Sequence, residues 1–344
     1  MFLWGLSKLY DKNSRELILG TAMGYNFEHL KPFIFSLKKS GFQGDLCLFV
    51  SKLDRNTYSL LQKSGVQLIP FKEEYPFTKK FRISDDLFPE NFFHSKISVK
   101  YLRYILYYLY LSKYRSKYSK ILITDVRDII FQRNPFDFDF KDGLCCFIED
   151  NHVTLKNSPF NSVRIRRHFG DEILGKIGDN YPLCSGTTYG YFSNMMNYLK
   201  EMINLIPKID TVGGGDQGVH NYLIYTRQFN NLKLFDNDSG PVFTFGTKMI
   251  KSIYINKEGL VTNRKGDVFN VIHQYDRHPE LFKRLSIHYK VSMPIKLPLI
   301  LIKFILSWKN RIENLRGWDF LNHLIFKYAN KSQVSTILDH WRLL

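Results

Sequence analysis

Two carboxylates and a guanidinium stand close together at Asp125-Val-Arg-Asp128, directly after the apolar run Lys120-Ile-Leu-Ile-Thr124. Such a run reads as a buried strand, and ligands of α/β proteins gather at the carboxyl ends of parallel strands. Hard oxygen donors at that point suit Mg²⁺ or Mn²⁺, either of which bridges to a substrate diphosphate. Side chains three apart on a straight strand point to opposite faces. Asp125 and Asp128 can therefore share one ion only if the chain turns or bulges after Asp125. The competing use is structural, with Asp125 capping a turn and Asp128 paired to Arg127.

Three later segments carry further candidates. Cys184-Ser-Gly-Thr-Thr-Tyr-Gly190 reads as a small-residue turn ahead of a strand, where a ligand can approach the backbone closely. Gly213-Gly-Gly-Asp-Gln-Gly-Val-His220 places three glycines before a helix start. Asp216 suits an N-cap, but three glycines exceed what a cap needs. They would clear space for a sugar-sized ligand beside Asp216 and Gln217, at a helix start with backbone N–H groups to donate. Val271-Ile-His-Gln-Tyr-Asp-Arg-His-Pro-Glu280 ends a strand on His273, an imidazole of the kind that ligates Mn²⁺-class metals. His278 precedes Pro279 and reads as the cap of the next helix.

These segments need a scaffold, and the sequence supplies one. Apolar runs at 16–23, 45–51 and 66–71 read as strands, and helical spacing appears at 27–39 and 53–64. This alternation predicts a mainly parallel sheet with helices on its faces. A long helix follows at 97–114, then the strand at 120–124. Short strands are expected at 143–148, 187–192 and 268–272, and helices at 195–205 and 217–226. The basic, aromatic stretch 71–95 is longer than an ordinary connection and reads as a lid or binding loop.

The chain has 344 residues, 44% of them hydrophobic and 16% aromatic, which excludes a disordered chain and allows a large core. The 49 basic against 32 acidic residues leave a net charge of +17, which favours a polyanionic partner such as a phosphorylated substrate, anionic lipid or nucleic acid. Cys47, Cys145, Cys146 and Cys184 form no CxxC pair and have no zinc spacing, so reduced, buried thiols are expected. The opening residues lack the order of a signal peptide. The apolar stretch 297–308 is too short to span a bilayer. Composition shifts near 294, and a basic helix follows. The expected division is a catalytic domain over 1–290 and a helical extension over 291–344 that either lies on an anionic membrane surface or completes the core. A cytoplasmic protein, peripheral on the inner face of the cell membrane, is the corresponding expectation.

The order of the segments resembles the GT-A glycosyltransferases, a superfamily of nucleotide-diphospho-sugar enzymes. The resemblance covers about residues 16–290. It rests on 121–136, Cys184-Ser-Gly186, 215–222 and 271–275. It implies an α/β fold with a mixed, mainly parallel sheet. It also implies a metal held by Asp125, Asp128 and His273, with Mn²⁺ or Mg²⁺ as the cofactor. Ser185, Gly186 and Gly215 would line the donor, with Asp125 and Arg127 at its diphosphate and Arg103 on the preceding helix. Asp216 and Gln217 would hold the transferred sugar. The departure is Arg127, which stands where a strict Asp-x-Asp has its second acid.

The expected activity is transfer of a sugar from a nucleotide-diphosphate donor, a UDP-hexose such as UDP-galactose or UDP-glucose. The acceptor would be a glycan or lipid-linked glycan of surface polysaccharide synthesis. Retention of configuration is favoured because no carboxylate base stands apart from the donor-site group. The alternative is a non-catalytic membrane-surface or nucleic-acid-binding protein using the basic aromatic surface. No helix-turn-helix, zinc-finger or RRM pattern supports nucleic acid as a partner. A Rossmann dehydrogenase is disfavoured because Gly20-Thr-Ala-Met-Gly24 is not GxGxxG. A glycoside hydrolase would use paired carboxylates without needing a diphosphate site.

Overall fold

The computed structural model describes residues 15–74, 97–115, 117–206, 215–246 and 253–291. The chain divides into two compact units, Met1–Leu285 and Ser286–Leu344. The expected membrane-associating extension, most of the expected lid at 71–95, and Gly213 and Gly214 lie outside the described residues.

The first half alternates as its hydrophobic pattern predicts. Strands β1 (Arg15–Met23), β2 (Asp45–Ser51), β3 (Gln67–Pro70) and β4 (Tyr118–Thr124) are interleaved with helices α1 (Phe27–Lys39), α2 (Arg55–Lys63) and α3 (Val99–Lys113). Asn26 starts α1 by accepting from the His29 N–H, and Asp54 starts α2 by accepting from the Thr57 N–H. Then come β5 (Ile129–Phe131), β6 (Leu144–Ile148), α4 (Pro159–Ile177), β7 (Leu183–Tyr191), α5 (Phe192–Leu205), α6 (Asp216–Thr226) and β8 (Leu232–Phe235).

The main sheet has the order β3-β2-β1-β4-β7-β6-β8. β1 pairs in parallel with β2 and β4, while β7 runs antiparallel to β4 and β6, and β8 is parallel to β6. Six strands thus share one direction and β7 alone is reversed. This is the mixed, mainly parallel α/β fold class expected from the sequence. Both faces are covered, as a parallel sheet requires. Leu17, Leu19, Phe49 and Ile121 pack under α3, α5 and α6, and Ile18, Leu48 and Leu122 pack under α1.

A second sheet, β5-β12-β9, contains β9 (Val242–Thr244) and β12 (Val271–His273). A two-stranded hairpin joins β10 (Tyr254–Ile255) to β11 (Val261–Thr262). The three-stranded sheet matters most for function. β12 pairs antiparallel with β5 in a register that sets His273 opposite Ile129, next to Asp128. The strand expected from 268 begins only at Val271 and ends, as expected, on His273.

One expectation is overturned. Residues 184–190 are not a turn before a strand but lie within β7, whose residues 188–190 pair with both β4 and β6. Thr187, Thr188, Tyr189 and Tyr191 are β-branched or aromatic and favour an extended strand, and β7 is buried along nearly its whole length. The small residues ahead of them serve close packing. His278 does cap α7 (Pro279–His288), where its Nδ1 accepts from the Leu281 N–H at 3.2 Å.

Candidate active site

The bend demanded by the spacing of Asp125 and Asp128 is present. β4 stops at Thr124, and the chain turns through Asp125–Asp128 before β5 begins at Ile129. Gly20 of β1 makes room for the turn, since a Cβ there would lie 2.3 Å from Val126 Cγ1. The Asp125 N–H donates to the Gly186 carbonyl at 2.8 Å, which extends the β4–β7 ladder by one rung. The Gln274 N–H donates to the Asp128 carbonyl at 2.7 Å, which fixes β12 against the same turn.

Asp125, Asp128 and His273 consequently offer one ligand atom each within 4.8 Å of one another. Two carboxylates and an imidazole form a donor set suited to Mn²⁺ or Mg²⁺. Two features of the surroundings fit a cation. His273 Nε2 is fully buried without a hydrogen-bond partner among the described residues, and lies 3.6 Å from Asp125 Oδ2. Gly186 lies against both groups: a Cβ there would come 2.4 Å from His273 Cε1 and 2.7 Å from Asp125 Oδ2. Only glycine lets these ligands sit so close to β7. On the far side of the ring, His273 Nδ1 meets the Cys184 thiol at 3.4 Å.

Arg103, projecting from α3, joins the acidic turn to the start of α6. Its Nη1 reaches Asp125 Oδ1 at 2.5 Å, and its Nη2 reaches Asp216 Oδ2 at 2.7 Å and the Ser185 carbonyl at 3.0 Å. The planar fork of arginine suits this double bridge. Burial pushes the Asp125 carboxyl upward, but the Arg103 charge, with the nearby His273, outweighs it and holds the acid well below its usual range. Burial dominates at Asp128 and raises its carboxyl, with Arg127 only partly offsetting the effect.

Asp216 is the first residue of α6 rather than its N-cap. Gly215 takes the cap position, and the Asp216 carboxylate turns to Arg103 and to Ser185 Oγ at 3.3 Å. The N-cap role expected for Asp216 therefore falls to Gly215. The space cleared at Gly215 is already used, however. A Cβ there would lie 2.6 Å from His168 Nε2 and 3.0 Å from Tyr101 Oη. Arg127 is also engaged, at 2.9 Å from Asp276 and 3.6 Å from Asp128.

Gln217 reveals a residue that sequence reasoning missed. Its Nε2 donates to Glu149 Oε2 at 2.6 Å and to Asn161 Oδ1 at 3.2 Å. Glu149 follows β6 directly and is 4% exposed. The strand-end rule that singled out Asp125 would have found it, because Glu149-Asp150 also follows an apolar strand. Glu149 is no carboxylate standing apart from the donor-site group, because its oxygens face Gln217 and Arg277. Among the described residues, no helix is long and apolar enough to cross a membrane.

No family model matches the chain. No curated protein sequence matches it either. Among solved structures, an active-site mutant of LgtC aligns with a TM-score of 0.47 and 14% identity, over 79% of this chain and 95% of that one. At that level the likeness carries no statement about substrate or reaction.

Proposed function

We propose that the protein is a metal-dependent glycosyltransferase of GT-A type that moves a hexose from a UDP-sugar, such as UDP-galactose or UDP-glucose, to a glycan or lipid-linked glycan. The observation that supports this reading is the convergence of Asp125, Asp128 and His273 within 4.8 Å of one another at a strand's carboxyl end. Arg103 links that group to Asp216.

In this reading Asp125, Asp128 and His273 would hold Mn²⁺ or Mg²⁺, which would supply charge stabilisation for a diphosphate leaving group. Arg103 and Arg127 add positive charge beside it. Ser185, Gly186 and Gly215 line the donor. Asp216 and Gln217 accept or donate hydrogen bonds to sugar hydroxyls and fix the anomeric carbon facing the acceptor, where orientation supplies much of the rate. Retention of configuration is part of the proposal. The extension 291–344 would hold the enzyme on the anionic inner face of the cell membrane.

The test is a thermal-shift screen of UDP-, GDP-, CMP- and dTDP-sugars with and without Mn²⁺. A donor at a hundredfold its Kd stabilises the native state by about 2.7 kcal/mol. A UDP-hexose is expected to raise the midpoint only with Mn²⁺ present. A flat response to every donor defeats the reading. Comparing vesicle flotation of the full chain with that of a chain lacking 291–344 tests the membrane claim separately.

A further inference from the structure

Gln217 has a side-chain amide whose orientation decides what it can offer a ligand, and its surroundings leave one choice. Its two Nε2 protons have two acceptors, Glu149 Oε2 at 2.6 Å and Asn161 Oδ1 at 3.2 Å. Asn161 is itself oriented, because its Nδ2 donates to Ser158 Oγ at 3.0 Å and its oxygen is thereby turned to Gln217. Flipping the Gln217 amide would press its carbonyl oxygen against two other oxygens. Gln217 Oε1 makes no hydrogen bond with any described residue. Glu149 is held from behind, with Arg277 Nη1 3.6 Å from its other oxygen and Arg277 also donating to the Gly246 carbonyl.

We propose that Glu149 is a positioning residue: it fixes the Gln217 amide with the N–H groups inward and the carbonyl oxygen outward. The site would then meet the donor sugar with a hydrogen-bond acceptor one residue beyond Asp216. A sugar hydroxyl that can donate is matched, and a deoxy or O-methyl analogue at that position is not. The consequence for the sugar rests on the glycosyltransferase reading; the orientation of the amide does not.

Two arms test this. In protein labelled selectively with ¹⁵N-glutamine, the Gln217 side-chain signal is assigned by its loss in Gln217→Ala. Its Nε2 protons are expected to exchange slowly in the wild type, and at least about tenfold faster in Glu149→Gln, where the acceptor-only partner is gone. Glu149→Asp, one methylene short, is expected to speed exchange as well and serves if Glu149→Gln does not fold. Wild-type exchange in whichever of these variants folds overturns the proposal.

The kinetic arm uses the nucleotide sugar found by the donor screen. Glu149→Gln is expected to lower kcat on the order of 10- to 100-fold while leaving donor KM within about twofold. In a Gln217→Ala background the same change is expected to do nothing more, because Glu149 acts through Gln217. Additive losses in the double variant overturn the proposal. Should the wild type turn over no nucleotide sugar, the donor reading fails and amide exchange alone decides the role of Glu149.

Discussion

Arg103 and Asp216 stand 113 positions apart in the chain and 2.7 Å apart in the fold. Through its other nitrogen the same guanidinium holds Asp125. One side chain thus ties the acidic turn after β4 to the first residue of α6. Removing it leaves two carboxylates without their shared counter-charge. Arg103→Met is expected to cost about 3–5 kcal/mol, the usual penalty for breaking one partner out of a buried ion pair. Arg103→Lys should recover only part, since an ammonium cannot span both acids as a fork does. Urea unfolding of the three proteins gives the comparison, and a loss below about 1 kcal/mol for Arg103→Met would contradict the bridge.

Asp128→Ala is expected to abolish Mn²⁺ binding while the fold persists, because Asp128 offers one of the three ligand atoms of the proposed metal site. Mn²⁺ electron paramagnetic resonance reads free against bound metal directly. Equal binding by wild type and variant removes Asp128 from the ligand set.

Gly186→Ala places a methyl group 2.4 Å from His273 Cε1. Overpacking of this kind costs about 1–3 kcal/mol. The displacement falls on two of the proposed metal ligands, so Mn²⁺ affinity should fall along with the melting temperature. Unchanged metal affinity in a destabilised Gly186→Ala protein would show that the glycine serves packing alone.

His220 is fully buried and bonded through Nδ1 to Tyr198 Oη at 2.7 Å. Burial, with a smaller push from Arg103 against the pull of Asp216, lowers it from 6.5 to about 3. The unfolded chain therefore binds more protons than the folded one between those values, and stability falls as pH drops through that window. One such proton contributes a slope of up to about 1.4 kcal/mol per pH unit. His220→Asn, which keeps a polar partner for Tyr198 and cannot titrate, should flatten the acid limb measured by denaturant unfolding between pH 6.5 and 4. An identical slope in both proteins would remove His220 as its source.

Much of the scaffold was legible because its signals are local. Apolar runs and helical spacing at 16–71 gave the strand and helix alternation, and the acids at 125 and 128 were conspicuous at a strand end. His273 stood at a strand end as well. Two kinds of information were not local. The Cys184–Gly190 segment looked like a turn because it is rich in small residues, yet its place is the middle of the sheet, where those residues let His273 and Asp125 approach. Helix α4 was not read because it breaks at Gly170, whose φ of 84° interrupts the helical period. The partner of Gln217 lies 68 positions away and that of Cys184 lies 89 away, distances at which only tertiary pairing decides contact.

The three-stranded sheet has a consequence for how the protein comes into being. His273 reaches the acidic turn only because β12 lays itself along β5. A ribosome must therefore release the chain well past residue 273 before the ligand set exists at all. Until then the nascent domain carries two of the three ligands and no closed site. Under the proposed reading, any nascent chain ending ahead of β12 would lack the third ligand and could not hold the metal.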